Sequence, residues 1–153
     1  MLSNAPRRSD LVAQRLNSIG INKSHYNTII SSGEVCREYF LANNKKLSEI
    51  GNSFYFIGQE LDKEIALNLR VKETKNIADS NFLLVCGTRD FGHTLKDYIN
   101  ELDKGLNFNL PLICANPDKV VIRKAGELVV CAGILASYYE DQGGKVVYFG
   151  KPY

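Results

Sequence analysis

The sequence predicts an α/β protein, and three observations carry that expectation. Short apolar runs at residues 53–57, 81–86 and 110–115 have the length and composition of strands buried on both faces. Between them lie stretches whose apolar residues recur at helical spacing and which stop at glycine. No repeat, low-complexity tract or linker-like segment breaks the alternation, so the expectation is α/β layers with mixed sheets.

Each element follows from local chemistry. Ser9 is a candidate N-cap for a short helix with Val12, Leu16 and Ile19 on one face and Gly20 as its stop. Residues 26–30 read as a strand running into Ser31-Ser32-Gly33-Glu34, and residues 34–43 as a helix with Val35, Phe40 and Leu41 apolar. Residues 53–57 form a strand closed by Gly58, whereas 62–69 fit neither period. Residues 81–86 form a buried strand, followed by the loop Gly87-Thr88-Arg89-Asp90. The clearest helix spans 94–106, where Thr94 and Asp97 have capping-box spacing, Leu95, Tyr98, Ile99 and Leu102 share a stripe, and Gly105 is the expected stop. The strand at 110–115 turns at Asn116-Pro117-Asp118, where Asn and Asp accept backbone hydrogens and Pro fixes φ. Residues 120–123 and 128–131 predict a hairpin around Lys124-Ala125-Gly126-Glu127. A helix at 134–139, ended by Gly143-Gly144, leads into a last strand at 145–149.

Composition narrows the function classes. The 153 residues are 44% hydrophobic and 24% charged, enough to bury a core and unlike a disordered chain. The net charge of +2 is small and dispersed among acids, which argues against a nucleic-acid partner. No apolar run approaches a membrane span, and the polar N-terminal residues are unlike a secretory leader, so a cytoplasmic protein is expected. Cys36, Cys86, Cys114 and Cys131 form no C-x-x-C pair and, three of them in apolar contexts, read as buried reduced thiols. Spacing alone leaves a Cys–His pair open, with His25 and His93 as the histidines.

Three segments bear on chemistry: Ser3-Asn4-Ala5-Pro6-Arg7, then L-P-L-I-C-A-N-P-D at 110–118, then V-Y-F-G-K-P at 147–152. Singly, each has an ordinary structural explanation. Ser3-Asn4 caps a turn before Pro6, Asn116-Pro117-Asp118 is a tight turn, and Lys151 is a solvated lysine between Gly150 and Pro152. In this order around an α/β insert, the sequence resembles the haloacid dehalogenase-like (HAD) hydrolase superfamily, class IIA, the NagD-type and pyridoxal phosphatase-like enzymes. The resemblance covers nearly the whole chain. It implies a HAD-like fold, with residues 1–33 and 149–153 belonging to a Rossmann-like core and residues 34–148 to an α/β cap domain.

The resemblance also implies roles. Ser3 matches the second motif, whose hydroxyl donates to the transferring phosphoryl group, and Asn4 helps shape that pocket. Lys151 matches the third motif, whose ammonium offsets the charge of nucleophile and phosphate. Asn116 and Asp118 match the cap's N-P-D, expected to bind or frame the substrate, and Ser31-Ser32-Gly33 matches the core strand end that precedes the cap, where a hinge is expected. The family's first motif, D-x-D, is found nowhere in the sequence; Asp90 and Asp118 are the nearest carboxylates after strands. The acidic fourth motif is likewise unmatched. The expectation is a fragment of a phosphatase of small phosphomonoesters, inactive alone, with no cofactor in this chain and Mg²⁺ in the complete enzyme. Expected partners are a small phosphorylated metabolite, and a second copy through the cap or the missing core pieces. Two alternatives stay open: a cap-like module binding a ligand or protein, and one part of an enzyme assembled from split chains.

Overall fold

A strand that is apolar on both sides must be covered on both sides, and the central strands here obey that demand. The computed structural model describes residues 1–42, 50–123 and 126–153. In chain order the described elements are β1 (Leu2–Ser3), α1 (Ser9–Ser18), β2 (Ile30–Ser31), α2 (Ser32–Ala42), β3 (Ser53–Ile57), β4 (Lys72–Thr74) and β5 (Phe82–Val85). There follow α3 (Ile99–Asn107), β6 (Leu112–Cys114), β7 (Val120–Ile122), β8 (Leu128–Val130), α4 (Ala132–Asp141) and β9 (Val146–Tyr148). Asn43, the expected end of the second helix, and Lys124-Ala125 of the hairpin turn lie outside the described residues.

Five strands make one sheet in the order β4-β3-β5-β6-β9, and every pair is parallel. The chain steps from β3 outward to β4, then returns to the other side of β3 for β5. Carboxyl ends of parallel strands beside such a reversal form a crevice where α/β proteins bind ligands. Leu83, Val85, Leu112 and Cys114 face α3 and α4, packing on Leu102, Leu135 and Tyr139. Alternate residues Phe54, Phe56, Phe82, Leu84 and Ile113 face Cys36 and Phe40 of α2 and Ile65. Tyr139 keeps its buried hydroxyl satisfied by donating to Leu110 O at 2.6 Å, and burial raises its pKa to about 12. Two further ladders stand outside this sheet: β1 pairs parallel with β2, and β7 pairs antiparallel with β8.

The α/β class holds, with local corrections. Among the described residues parallel and antiparallel pairs occupy separate sheets, so no sheet there is mixed. Ser9 is the first helical residue of α1 rather than its cap, and the acceptor for its N–H is the Glu34 carboxylate at 2.8 Å. The strand expected at 26–30 shrinks to Ile30–Ser31, preceded by a 3₁₀ turn at Lys23–His25 capped by Asn22. The helix expected at 94–106 splits into a 3₁₀ turn, Leu95–Asp97, and α3. Asp97 does accept from Thr94 N and Oγ1, at 2.7 and 3.1 Å. Gly105 is no stop: it sits inside α3, where any Cβ would press on Leu83 and Tyr139. All four cysteines are free and buried. No helix among the described residues is long and apolar enough to cross a membrane.

Candidate functional site

The carboxyl ends of β1, β6 and β9 meet at one side chain, that of Asn4. Its Nδ2 donates to Asp118 Oδ1 at 2.7 Å and to Lys151 O at 3.1 Å, while its Oδ1 accepts from Lys151 N at 2.9 Å. Asn116 Oδ1 accepts from Asp118 N at 3.1 Å, the Asx turn expected for N-P-D. Gly133 at the start of α4 donates to Asp118 O at 2.9 Å and approaches Pro117 so closely that a Cβ has no room. Gly150 is excluded from carrying a side chain twice over, by φ of +121° and by Asn4 and Pro117 beside it.

Ser3 and Lys151 flank this clamp. Ser3 Oγ accepts from Ala5 N at 3.2 Å, and among the described residues its hydroxyl donates to no acceptor. The exposed Lys151 ammonium lies 3.4 Å from Leu2 O, beside the Ser3 peptide. Four of the five expected site residues, Ser3, Asn4, Asp118 and Lys151, therefore gather at the strand ends, with Asn116 bracing Asp118. Asp90 is engaged elsewhere, accepting from Gly92 N at 2.9 Å within its own loop. Ser31, Ser32 and Gly33 are buried and bonded to the backbone of Ala5 and Arg7: Ser31 Oγ donates to Arg7 O, and Ser32 Oγ and Gly33 N donate to Ala5 O.

Beside the clamp, at the β3–β5 reversal, opens a pocket of about 120 Å³ lined by Arg7, Asp62, Thr88, Asn116, Val121 and Val130 among others. Arg7 Nε donates to Asp62 Oδ1 at 2.7 Å across it. Asp62 is only 3% exposed, and burial pushes its carboxyl above the ordinary value of 3.8, with Arg7 pulling part of the way back. Thr88 Oγ1 donates to Val130 O at 3.3 Å, fixing the β7–β8 hairpin as one wall. On the other side of β3 lies a cleft of about 400 Å³ bordered by Tyr55, Lys63, Glu73, Lys75 and Arg89. Arg89 is spent structurally: its guanidinium grips Glu101 at 2.7 and 2.8 Å and donates to Phe56 O at 3.2 Å.

No protein-family profile and no curated protein matches the chain. Solved structures do. A hydrolase of the haloacid dehalogenase-like family from Brucella suis 1330 superposes with a TM-score of 0.88 at 29% identity, over 100% of this chain and 54% of that one. The chain belongs with the haloacid dehalogenase-like hydrolases by fold. A thermostable NPPase double mutant from Geobacillus stearothermophilus has a TM-score of 0.73 at 20% identity, over 99% of this chain and 57% of its own. A p-nitrophenyl phosphatase from Archaeoglobus fulgidus gives 0.66 at 19%, over 96% and 53%. The HAD-like chain thus spans about half the length of the solved structures it matches.

Mg²⁺, implied by the resemblance for a complete HAD enzyme, does not fit the described residues of this chain. It prefers an octahedron of hard oxygens, usually with carboxylates among them. Among the described residues no three His, Cys, Asp or Glu side chains cluster to hold a metal. At the strand ends Asp118 already has Oδ1 engaged by Asn4. Arg7, Gln59, Asp62 and Thr88 of this HAD-like chain were not singled out from the sequence. Gln59 and Thr88 carried one clue, their place directly after Gly58 and Gly87 at strand ends; Arg7 and Asp62 meet only through folding.

Proposed function

We propose that this chain forms the phosphate-gripping and leaving-group-selecting part of a class IIA HAD phosphatase acting on small phosphomonoesters in the cytoplasm. The observation that carries the reading is the Asn4 clamp, which joins Asp118 and Lys151 to the end of β1 although Lys151 lies 147 residues from Asn4. In this reading the Ser3 hydroxyl donates to a phosphoryl oxygen and the Lys151 ammonium offsets its charge. Asp118, held by Asn4, sets the frame, and the organic part of the substrate enters the pocket beside Asn116. The likeness in fold to phosphatases from two other organisms supports the reaction class.

The sequence contains no D-x-D. These 153 residues therefore supply grip without a nucleophile, which in a covalent phosphoryl-transfer enzyme costs on the order of 10⁴–10⁶ in rate, roughly 5–8 kcal/mol. Aspartates from the rest of the complete enzyme would attack phosphorus and hold the metal. The test has two arms. Titration with inorganic phosphate, followed by amide chemical shifts, is expected to move Ser3, Asn4 and Lys151 most, and Ser3→Ala or Lys151→Ala to weaken binding about tenfold. With p-nitrophenyl phosphate and Mg²⁺, the chain alone is expected to turn over no faster than Lys151→Ala. Turnover abolished by Lys151→Ala would show a nucleophile within this chain and overturn the second arm. Shifts confined to other surfaces would overturn the first in favour of a binding module.

A further inference from the structure

Resting on that reading, we infer that Gln59 is a partition that restricts the leaving group to a compact, uncharged aliphatic alcohol. The pocket beside the phosphate grip holds about 120 Å³, against roughly 300–1,000 Å³ for sites that take drug-sized ligands. Directly across β3 lies the cleft of about 400 Å³, large enough for a nucleoside. Among the described residues, Gln59 is the one that borders both spaces. It follows Gly58 at the carboxyl end of β3, the strand where the sheet order reverses.

Its backbone is anchored by one hydrogen bond. Gln59 O accepts from Asp62 N at 2.9 Å, which anchors the residue at the head of the 3₁₀ turn Glu60–Ala66. Gln59 lines both spaces, and among the described residues no hydrogen bond engages its side-chain amide.

Charge selects as well as size. Arg7 and Asp62 neutralise one another across the small pocket at 2.7 Å. A carboxylate on the leaving group would stand beside buried Asp62, and a cation would compete with Arg7, so each is disfavoured. Val121, Val129, Val130 and Pro6 present aliphatic surface to the rest of the group. A short polyol phosphate satisfies these walls; a nucleoside monophosphate requires the space beyond Gln59.

The test uses the 153-residue chain, titrated calorimetrically with inorganic phosphate, glycerol 2-phosphate and adenosine 5′-monophosphate. Wild type is expected to bind glycerol 2-phosphate at least tenfold tighter than the nucleotide. Gln59→Ala removes the partition and is expected to shrink that preference at least tenfold, with phosphate affinity unchanged. Gln59→Leu keeps the bulk without the amide and is expected to keep the preference. A nucleotide bound by wild type as tightly as glycerol 2-phosphate overturns the inference, and so does a preference unchanged in a folded Gln59→Ala. Equal behaviour of the two variants overturns it as well, by assigning selection to the amide instead of its volume. If wild type fails to bind inorganic phosphate at all, the phosphate-grip reading falls first and takes the inference with it.

Discussion

At the scale of single residues, the site is built from side chains that are each constrained by more than one neighbour. Asn4 uses both ends of its amide, and Asp62 is buried against one guanidinium. Asp62 also makes a pH statement. Burial raises its folded pKa above the unfolded value near 3.8, with Arg7 opposing the shift. A raised carboxyl binds its proton more tightly in the folded state, so its contribution to stability is full below about pH 3.8 and is lost as pH climbs through the folded value. Asp62→Asn has no such titration. Urea unfolding at pH 3.5 and at pH 7 is expected to show wild type losing stability relative to Asp62→Asn as pH rises. A relative gain with rising pH would mean that Arg7 outweighs burial.

At the scale of elements, what could be read from the sequence and what could not divide along the origin of the order. Residues 82–85 and 112–114 announce themselves because parallel central strands are buried on both faces, so nearly every residue is apolar. The β7–β8 hairpin and the Asn116 turn were legible because their causes are local. By contrast β4, with the sequence Lys-Glu-Thr, has no apolar signature and is a strand only because β3 offers an edge. Gly105 reads as a stop by composition, yet it stays helical since α3 packs close to Leu83 and Tyr139. The true end comes at Asn107, with Asn109 taking φ of +53°. Motif order likewise exposed Ser3, Asn4, Asp118 and Lys151, whereas the Arg7–Asp62 pair and the Gln59 wall exist only after distant segments meet. One element contact can be tested directly. The first turn of α4 lies on the backbone of Pro117 and Asp118, so Gly133→Ala must push them apart. A loss of about 1–3 kcal/mol in urea unfolding is expected, together with weaker phosphate binding because Asp118 leaves the Asn4 amide. An unchanged phosphate affinity would mean that this contact serves packing alone.

At the scale of the whole molecule, a five-stranded parallel sheet carries the core, and two small two-stranded ladders stand outside it. β1 and β2 are tied to that sheet by polar contacts, Arg7 to Asp62 and Asn4 to Asp118 and Lys151, and through α2, whose Cys36 and Phe40 enter its apolar core. Sheet and helices form a layered unit that buries aromatic and aliphatic side chains on both faces. The candidate site thus lies where the sheet meets the segment that carries β1 and β2.

The Asn4 clamp therefore has a consequence in time. Its bonds close sequence separations of 114 and 147 residues, and contacts with such long loops carry their entropic cost before they return any gain. They are expected to form after the rate-limiting step of folding. Asn4→Ala should then lower stability by about 1–2 kcal/mol, with the loss falling on the unfolding limb of a stopped-flow chevron and the refolding limb unmoved. A slowed refolding limb would instead place the clamp in the folding nucleus. With a late-forming clamp, a ligand gripped there as proposed would act as a brake: it would leave the route into the native state alone and lengthen the lifetime of the chain once it has arrived.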